Sequence, residues 1–344
     1  MKVAISGITP PGCTIAALLA EAGEEVCLIG PPEKIERIYE RILTVRQVWD
    51  GRVISVDADM APYPTFSPDV LVFAERVQDT LSAAEKLLPY CREATVATIQ
   101  EGTKTEQIVA KVFPRDNIVT CVLTLGANCA IPGEVTVNFK GYMVIGKAYD
   151  APGWREDMVM RLMSRAFSTR LGKKIAHFNC TRLLLNLPYC IPAIIGETVQ
   201  KTFTNPQMAE VAALLLKEGM TIIKKAGVHI EALPDLDEKS LHDLVDSPLP
   251  EASRKFMEAV ASLSGCPCEG PVLGSLERGE PSEVDYQNGE LVKIAKALGR
   301  DAPLNELMVR LVHHIEKTWR FMSKKEFLAC VRKAAPHQEP RQGL

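Results

Sequence analysis

Met1-Lys2-Val3-Ala4-Ile5-Ser6-Gly7-Ile8-Thr9-Pro10-Pro11-Gly12 opens the chain, and its reading decides the fold. Lys2 to Ser6 is a short apolar run, β-branched at Val3 and Ile5, as strands favour. Gly7 to Gly12 is a turn. After it, Ile15, Ala16, Leu18, Leu19 and Ala22 recur at helical spacing as far as Gly23, and Glu25 to Gly30 reads as a second strand. Strand, glycine turn, helix and strand within about 30 residues form the opening of a dinucleotide-binding unit. That motif asks for G-x-G-x-x-G, and this chain has Gly7, Thr9 and Gly12 at the three glycine positions. The second glycine lets the backbone approach a pyrophosphate, so Thr9 weakens the phosphate reading. Pro10 and Pro11 suit a helix start, where a missing N–H costs little. They also remove two N–H groups that could hold phosphate. A dinucleotide site and a purely structural βαβ start both fit this stretch.

The 344 residues are enough for two domains, and 47% hydrophobic residues allow a sizeable core. The net charge of −3, with no basic block, argues against a nucleic-acid partner. With a first strand starting at Met1 no signal peptide is expected, and with no apolar run approaching the length of a membrane span none is expected either. Cys27, Cys121, Cys190 and Cys330 lie within apolar segments, as reduced cysteines of a cytoplasmic protein do. Cys266-Pro267-Cys268 lacks C-x-x-C spacing, and adjacent His313 and His314 point in different directions on a helix. Neither is expected to bind metal, and no metal site is expected elsewhere.

Farther along, Glu33 to Leu43 has the pattern of a charged helix, and Arg52 to Val56 that of a strand. Asp69 to Ala74 and Ala94 to Ile99 are continuous apolar runs, the pattern of strands buried on both faces. Helices are expected over Thr80 to Leu88 and Thr105 to Val112, and a strand over Ile118 to Leu125. Glu134 to Phe139 and Tyr142 to Gly146 read as an antiparallel pair. This alternation predicts an α/β fold, with a mostly parallel, Rossmann-type sheet and helices on both faces. Ligands of such sheets sit outside the carboxyl ends of the strands. The turns at Gly7–Gly12, Ala74–Arg76, Gln100–Gly102 and Gly126–Cys129 should therefore line one crevice.

Residues 151–170 read as a helix leading to a junction, after which helical patterns take over. They cover Thr181 to Thr202, bent at Pro188 and Pro192, then Pro206 to Ala226, with Asn205 as N-cap and Gly227 past its end. Further helices are expected over Leu249 to Ser262, Ser282 to Leu298 and Pro303 to Phe321. The expected division is a Rossmann-type domain over residues 1–168, an all-helical domain over 169–335 and a tail over 336–344. The site is expected in the cleft between the domains.

Gly274-Ser275-Leu276-Glu277-Arg278-Gly279-Glu280-Pro281-Ser282-Glu283-Val284-Asp285-Tyr286-Gln287-Asn288-Gly289 resembles the C-terminal signature of the ketopantoate reductase family, a short helix, an R-G-x-P turn, T-E-I-D and an N-G pair. The order of elements from Met1 to Gly146 is similar too. The resemblance implies a dinucleotide-binding domain, a helical domain of the 6-phosphogluconate dehydrogenase C-terminal type, and reduction of 2-dehydropantoate to pantoate with NADPH. It also implies site residues. Glu283 matches the family's glutamate and Asn186 its first helical asparagine. Arg182 stands where the family has its catalytic lysine, and Cys190 stands for a second asparagine. Pro271 falls at a substrate-binding serine, and Gln200 and Ser275 are further candidate substrate contacts. Gly7, Ile8, Thr9, Pro10, Pro11, Gly12 and Cys129 are the candidate cofactor contacts on the turns. Glu75 and Glu101 replace a lysine and an asparagine there, and Pro31 replaces the arginine that pairs a 2′-phosphate.

These replacements carry physical consequences. A ketone reduced by hydride needs a proton at the forming alkoxide. A lysine can be tuned by burial to supply one, whereas guanidinium stays protonated. Arg182 suits a substrate carboxylate or a developing oxyanion instead. Two glutamates near a pyrophosphate are repulsive, and they suit an amine or imine ligand better. The leading expectation is an NADP(H)-dependent oxidoreductase of a small 2-oxo acid. The alternatives are a non-reducing ligand-binding or regulatory descendant of the fold, and a reductase or dehydrogenase of an amine or imine. NADPH is favoured over NADH because the second strand ends Leu28-Ile29-Gly30 without an acid, while Lys34 and Arg37 follow one turn apart. Apolar stretches at Met308 to Val312 and Phe327 to Val331 predict a homodimer.

Overall fold

The computed structural model describes residues 1–100, 102–233, 238–264 and 266–334. The chain divides into two units, Met1–Asn179 and Cys180 onward. The strands are β1 (Lys2–Ser6), β2 (Glu25–Ile29), β3 (Ile42–Gln47), β4 (Val53–Asp57), β5 (Asp59–Ala61), β6 (Val70–Phe73), β7 (Thr95–Thr98), β8 (Ile118–Ile131), β9 (Glu134–Gly146) and β10 (Ser168–Leu171). They form one sheet in the order β4-β3-β9-β8-β7-β6-β1-β2-β5, with β10 added to β9. From β8 to β5 all neighbours are parallel. Helices α1 (Pro10–Glu21), α2 (Pro32–Ile35), α3 (Thr80–Cys91), α4 (Thr105–Val109) and α5 (Gly153–Met163) complete the unit.

Alternation along the central strands splits the unit into two cores. Val3, Ile5, Val70 and Val72 pack on one face with Ile15, Leu19, Val159 and Leu162 of α1 and α5. Ala4, Leu71, Phe73 and Val96 pack on the other with Ala84, Leu87 and Val109 of α3 and α4. A strand covered on both faces reads as a continuous apolar run because neither side meets water. The expected Rossmann-type architecture is therefore present.

Several local expectations are corrected. The helix expected over Glu33 to Leu43 stops at Ile35, and the chain then turns through Glu40 and Arg41, which adopt positive φ values of 49° and 58°. Ile42 to Gln47 then runs as β3, with Leu43 and Val45 buried at period two. Glu134 to Gly146 is one strand rather than a pair, and its antiparallel partner is β8. The first unit runs to Asn179. Ser168 to Leu171 pairs with β9, and Phe178 packs against Gly172 and under the Arg170 guanidinium, 5.0 Å from the ring centroid.

The second unit is helical. Its elements are α6 (Ile175–Asn186, which begins in the first unit), α7 (Cys190–Ile195), α8 (Val199–Phe203), α9 (Pro206–Lys225), α10 (Glu238–Asp246), α11 (Leu249–Leu263), α12 (Pro271–Glu277), α13 (Asn288–Ala297), α14 (Pro303–Thr318) and α15 (Lys324–Ala334). Asn205 caps α9, its side chain accepting from Gln207 N at 2.9 Å, and Gly227 ends it at φ +72°. The segment Ile175–Ile195 is apolar and long enough to cross a membrane, contrary to the sequence expectation; 83% of its most apolar stretch is buried in the fold. It is interrupted at Leu187–Tyr189, where Pro188 cannot continue the hydrogen-bond ladder. Met308, Val312, Phe327, Leu328 and Val331 lie in this unit's own core, so they leave no apolar face of the kind expected to drive dimerisation.

Buried polar groups repair the break after α6. The Leu187 carbonyl accepts from Asn288 Nδ2 and from the Cys190 thiol, both at 3.0 Å. Asn288 Nδ2 also donates to Asn305 Oδ1 at 2.8 Å, and Asn305 in turn donates through N and Nδ2 to Glu218 Oε1. Asn288 has no solvent exposure. Asn288→Ala is therefore expected to cost about 2–4 kcal/mol, since it leaves two buried acceptors short of a donor. Asn288→Asp should cost more, because it sets a carboxylate against Asn305 Oδ1. Urea denaturation of both variants checks the order.

Candidate active site

The first cluster grows out of β1. Gly7 has φ +113°, and a Cβ built on it would meet Glu75 N at 2.4 Å. A Cβ on Gly12 would meet Gly7 O at 2.1 Å. No side chain fits at either place without moving backbone, so the turn lies directly against the end of β6. Thr9 uses its hydroxyl twice, donating to the Ala74 carbonyl at 2.7 Å and accepting from Gly12 N at 3.2 Å. Pro10 and Pro11 carry no N–H, and Cys13 N donates to Thr9 O at 2.8 Å. The start of α1 is therefore capped from within, which leaves Ile8 N and Thr9 N as the turn's amides not committed to that cap.

Cys13 connects other candidates to the turn. Burial pushes its thiol up to about 12; Cys129 acts in the same direction and the Lys34 charge against it. Lys34 and Cys129 thus both bear on the start of α1. Arg37 is exposed. No acid stands at the end of β2, where Gly30 would place a Cβ 2.5 Å from Ile8 Cδ1.

Glu75 follows β6. The sequence reading treats it as a negative charge near a pyrophosphate, but its Oε1 accepts from Gln100 Nε2 at 3.1 Å and its Oε2 is shut from solvent. Burial is the main cause of a pKa raised from 4.5 to about 8; hydrogen bonds from its own backbone, Ser6 and Thr80 lower it, and Asp79 raises it. At neutral pH the group is mostly the uncharged acid, and the repulsion expected of it is largely removed. Gln100 also donates to Thr80 Oγ1 at 3.2 Å. Ser6, Thr80 and Gln100 were not singled out from sequence, although a glutamine before a glycine turn at a strand end was a usable signal. Glu101 lies outside the described residues.

The second cluster belongs to the helical unit. Arg182 is 6% exposed on α6, and Asn186 lies one turn later on the same face, at the helix end. Glu283 is half-buried in the turn before α13. Four candidate substrate contacts have these places in the fold. Cys190 is fully buried in the apolar core, where its thiol bonds the Leu187 carbonyl. Ser275 Oγ donates to Pro271 O at 3.0 Å within α12, and Pro271 is exposed at that helix's first position. Gln200 clamps the Cys266–Cys268 loop, accepting from Cys268 N at 2.8 Å and donating to Cys266 O at 3.0 Å. A cavity of about 660 Å³ beside the sheet, lined by Trp49, Arg52, Lys140 and Phe167 among others, contains no candidate residue.

The geometry around Glu75 has a testable consequence for stability. The folded chain holds the Glu75 proton up to about pH 8, whereas an ordinary glutamate releases it near 4.5. Stability therefore falls as pH rises between those values. Glu75→Gln, which mimics the protonated acid, should leave Tm unchanged near pH 5 and raise it by ~2 °C or more near pH 8.5. Calorimetry at the two pH values checks this.

Comparison with known proteins adds to this geometry. Residues 3–149 match the family described as ketopantoate reductase PanE/ApbA, and residues 175–316 match its C-terminal domain. A 2-dehydropantoate 2-reductase of Pyrococcus abyssi is 25% identical over 317 residues, spanning 91% of this chain and 97% of its own. The ternary structure of D-mandelate dehydrogenase with NADH and anilino(oxo)acetate aligns with a TM-score of 0.76 at 16% identity, over 92% of this chain and 99% of that one. A dimeric ketopantoate reductase from Staphylococcus aureus aligns with a TM-score of 0.66 at 18% identity, with the same coverage of 92% and 99%.

Proposed function

Because the chain belongs to the ketopantoate reductase family, we propose that it is an NADP(H)-dependent reductase of a small 2-oxo acid. The observation that carries this reading is the place of the Gly7–Gly12 turn, at the carboxyl end of β1 and packed by Gly7 directly against the backbone after β6. Ligands of parallel sheets sit at such carboxyl ends. A nicotinamide dinucleotide fits there, held by the amides of Ile8 and Thr9 and the charge of Lys34. The prolines and the Thr9 cap give it fewer phosphate donors than an all-glycine turn would. When bound, the dinucleotide supplies hydride.

The chain's own residues supply the rest. Arg182 is a fixed cation for the substrate carboxylate or for the oxygen that gains charge. Asn186 can hydrogen-bond the same substrate from one turn away. Glu283 can hold a proton or a substrate hydroxyl. A mostly neutral Glu75 leaves less negative charge beside the phosphates, which favours this reading over an amine or imine substrate. The preference for NADP(H) rests on Lys34 and on the lack of an acid at the end of β2. A homodimer is inferred from the dimeric family member of the same fold.

The test is turnover of a panel of 2-oxo acids, 2-dehydropantoate included, with NADPH and with NADH. At least one acid should be reduced, with NADPH preferred by roughly tenfold, or about 1.4 kcal/mol. Arg182→Ala should lower kcat/KM by about 10²–10³, and the Lys34→Ala, Arg37→Ala double variant should erase most of the cofactor preference. A folded protein that binds no dinucleotide would instead be a non-reducing descendant of the fold.

A further inference from the structure

The turn that carries Glu283 is held from both sides by one helix. On its N-terminal side, Ser282 N and Oγ both donate to Glu316 Oε1, at 2.8 and 2.7 Å. On its C-terminal side, Asp285 Oδ1 lies 3.2 Å from His313 Nε2. The two holds are joined, because His313 Nδ1 is 2.7 Å from Glu316 Oε2 on the same helix, α14. The chain Ser282–Glu316–His313–Asp285 thus closes a loop around Glu283 and Val284.

We propose that protonated His313 is a positioning residue, which ties Asp285 to Glu316 and so fixes the turn that presents Glu283. The inference rests on the reading of Glu283 as a site residue. Its chemistry follows from the imidazole. Only the protonated ring has two N–H donors, one for each carboxylate. A neutral ring keeps one. With its proton on Nδ1 it still serves Glu316, but Nε2 then turns a lone pair toward Asp285, and the C-terminal hold is lost.

The surroundings favour the protonated form. Burial lowers the His313 pKa, but the hydrogen bonds and charges of Glu316 and Asp285 outweigh it and raise it above 6.5. Burial pushes Glu316 up, yet Ser282 and His313 hold it below the usual carboxylate range. Glu316 on α14 and Asp285 on the turn are the charged groups that bear on the ring. From α13, Lys293 Nζ donates to the Asp285 backbone carbonyl at 3.3 Å. The hold from His313 to Asp285 is therefore complete while the ring is protonated and the two carboxylates are ionised, and it is released as pH rises through the folded His313 pKa.

The experiment is a pH titration by nuclear magnetic resonance, following the His313 ring and the Glu283 and Val284 amides, beside the pH profile of turnover. The two amides should titrate with the midpoint of His313, above 6.5. In Asp285→Asn that midpoint should drop and the amides should stop following it. Turnover should fall roughly tenfold across the same midpoint, in kcat rather than in the KM for dinucleotide, and His313→Gln should flatten that limb. Amides that ignore His313, or that follow it equally in Asp285→Asn, would overturn the proposal. The resonance arm needs no substrate, so an enzyme without activity on 2-oxo acids would contradict the proposed function while the amides still decide the clamp.

Discussion

The close approach of Gly7 to the backbone at Glu75 is the constraint on which the first unit depends. With 2.4 Å between a Gly7 Cβ position and Glu75 N, no other residue type sits there without moving β1 away from β6. That contact sets the turn down at the junction of the two central strands. It also determines what Thr9 does. Its hydroxyl bridges the Ala74 carbonyl and the Gly12 amide, so the residue that departs from the glycine motif locks the turn to the neighbouring strand. The same packing buries the Glu75 carboxyl, and burial changes its charge. A substitution that looks hostile to a phosphate ligand is thereby made largely neutral.

The helical unit solves a different problem. Proline in a buried helix frees backbone groups that have no water to meet. Here the freed Leu187 carbonyl is met by Asn288 and Cys190, and Asn288 is anchored through Asn305 to Glu218. The signature's asparagine is thus part of the scaffold, and its neighbour Asp285 connects the same turn to α14. Glu283 lies between these fixed points, while Arg182 and Asn186 occupy the helix that the network stabilises.

Much of the sheet was legible because strands buried on both faces are continuous apolar runs, and because Gly7, Gly12 and Asn205 mark turns and caps through local chemistry. Polar edge strands were not legible. Ser168 to Leu171 has no apolar pattern and exists only because β9 offers it an edge. Ile42 to Gln47 was hidden behind a charged run with helical spacing, ended by two residues in the left-handed region. At the site, Arg182, Asn186 and Glu283 came from motif position. The protonation of Glu75 and the inward turn of Cys190 depend on tertiary burial, which no local pattern encodes. The pairing of His313 with Asp285 spans 28 residues and was equally invisible.

The central claim is that a nicotinamide dinucleotide sits on the Gly7–Gly12 turn. Hydrogen–deuterium exchange with and without saturating NADPH tests it most directly, because it reports where a ligand lands without assuming a substrate. The account predicts protection concentrated in peptides covering residues 5–13 and 73–79. Protection confined to the cavity beside Trp49 and Lys140, or no change at all, would contradict it.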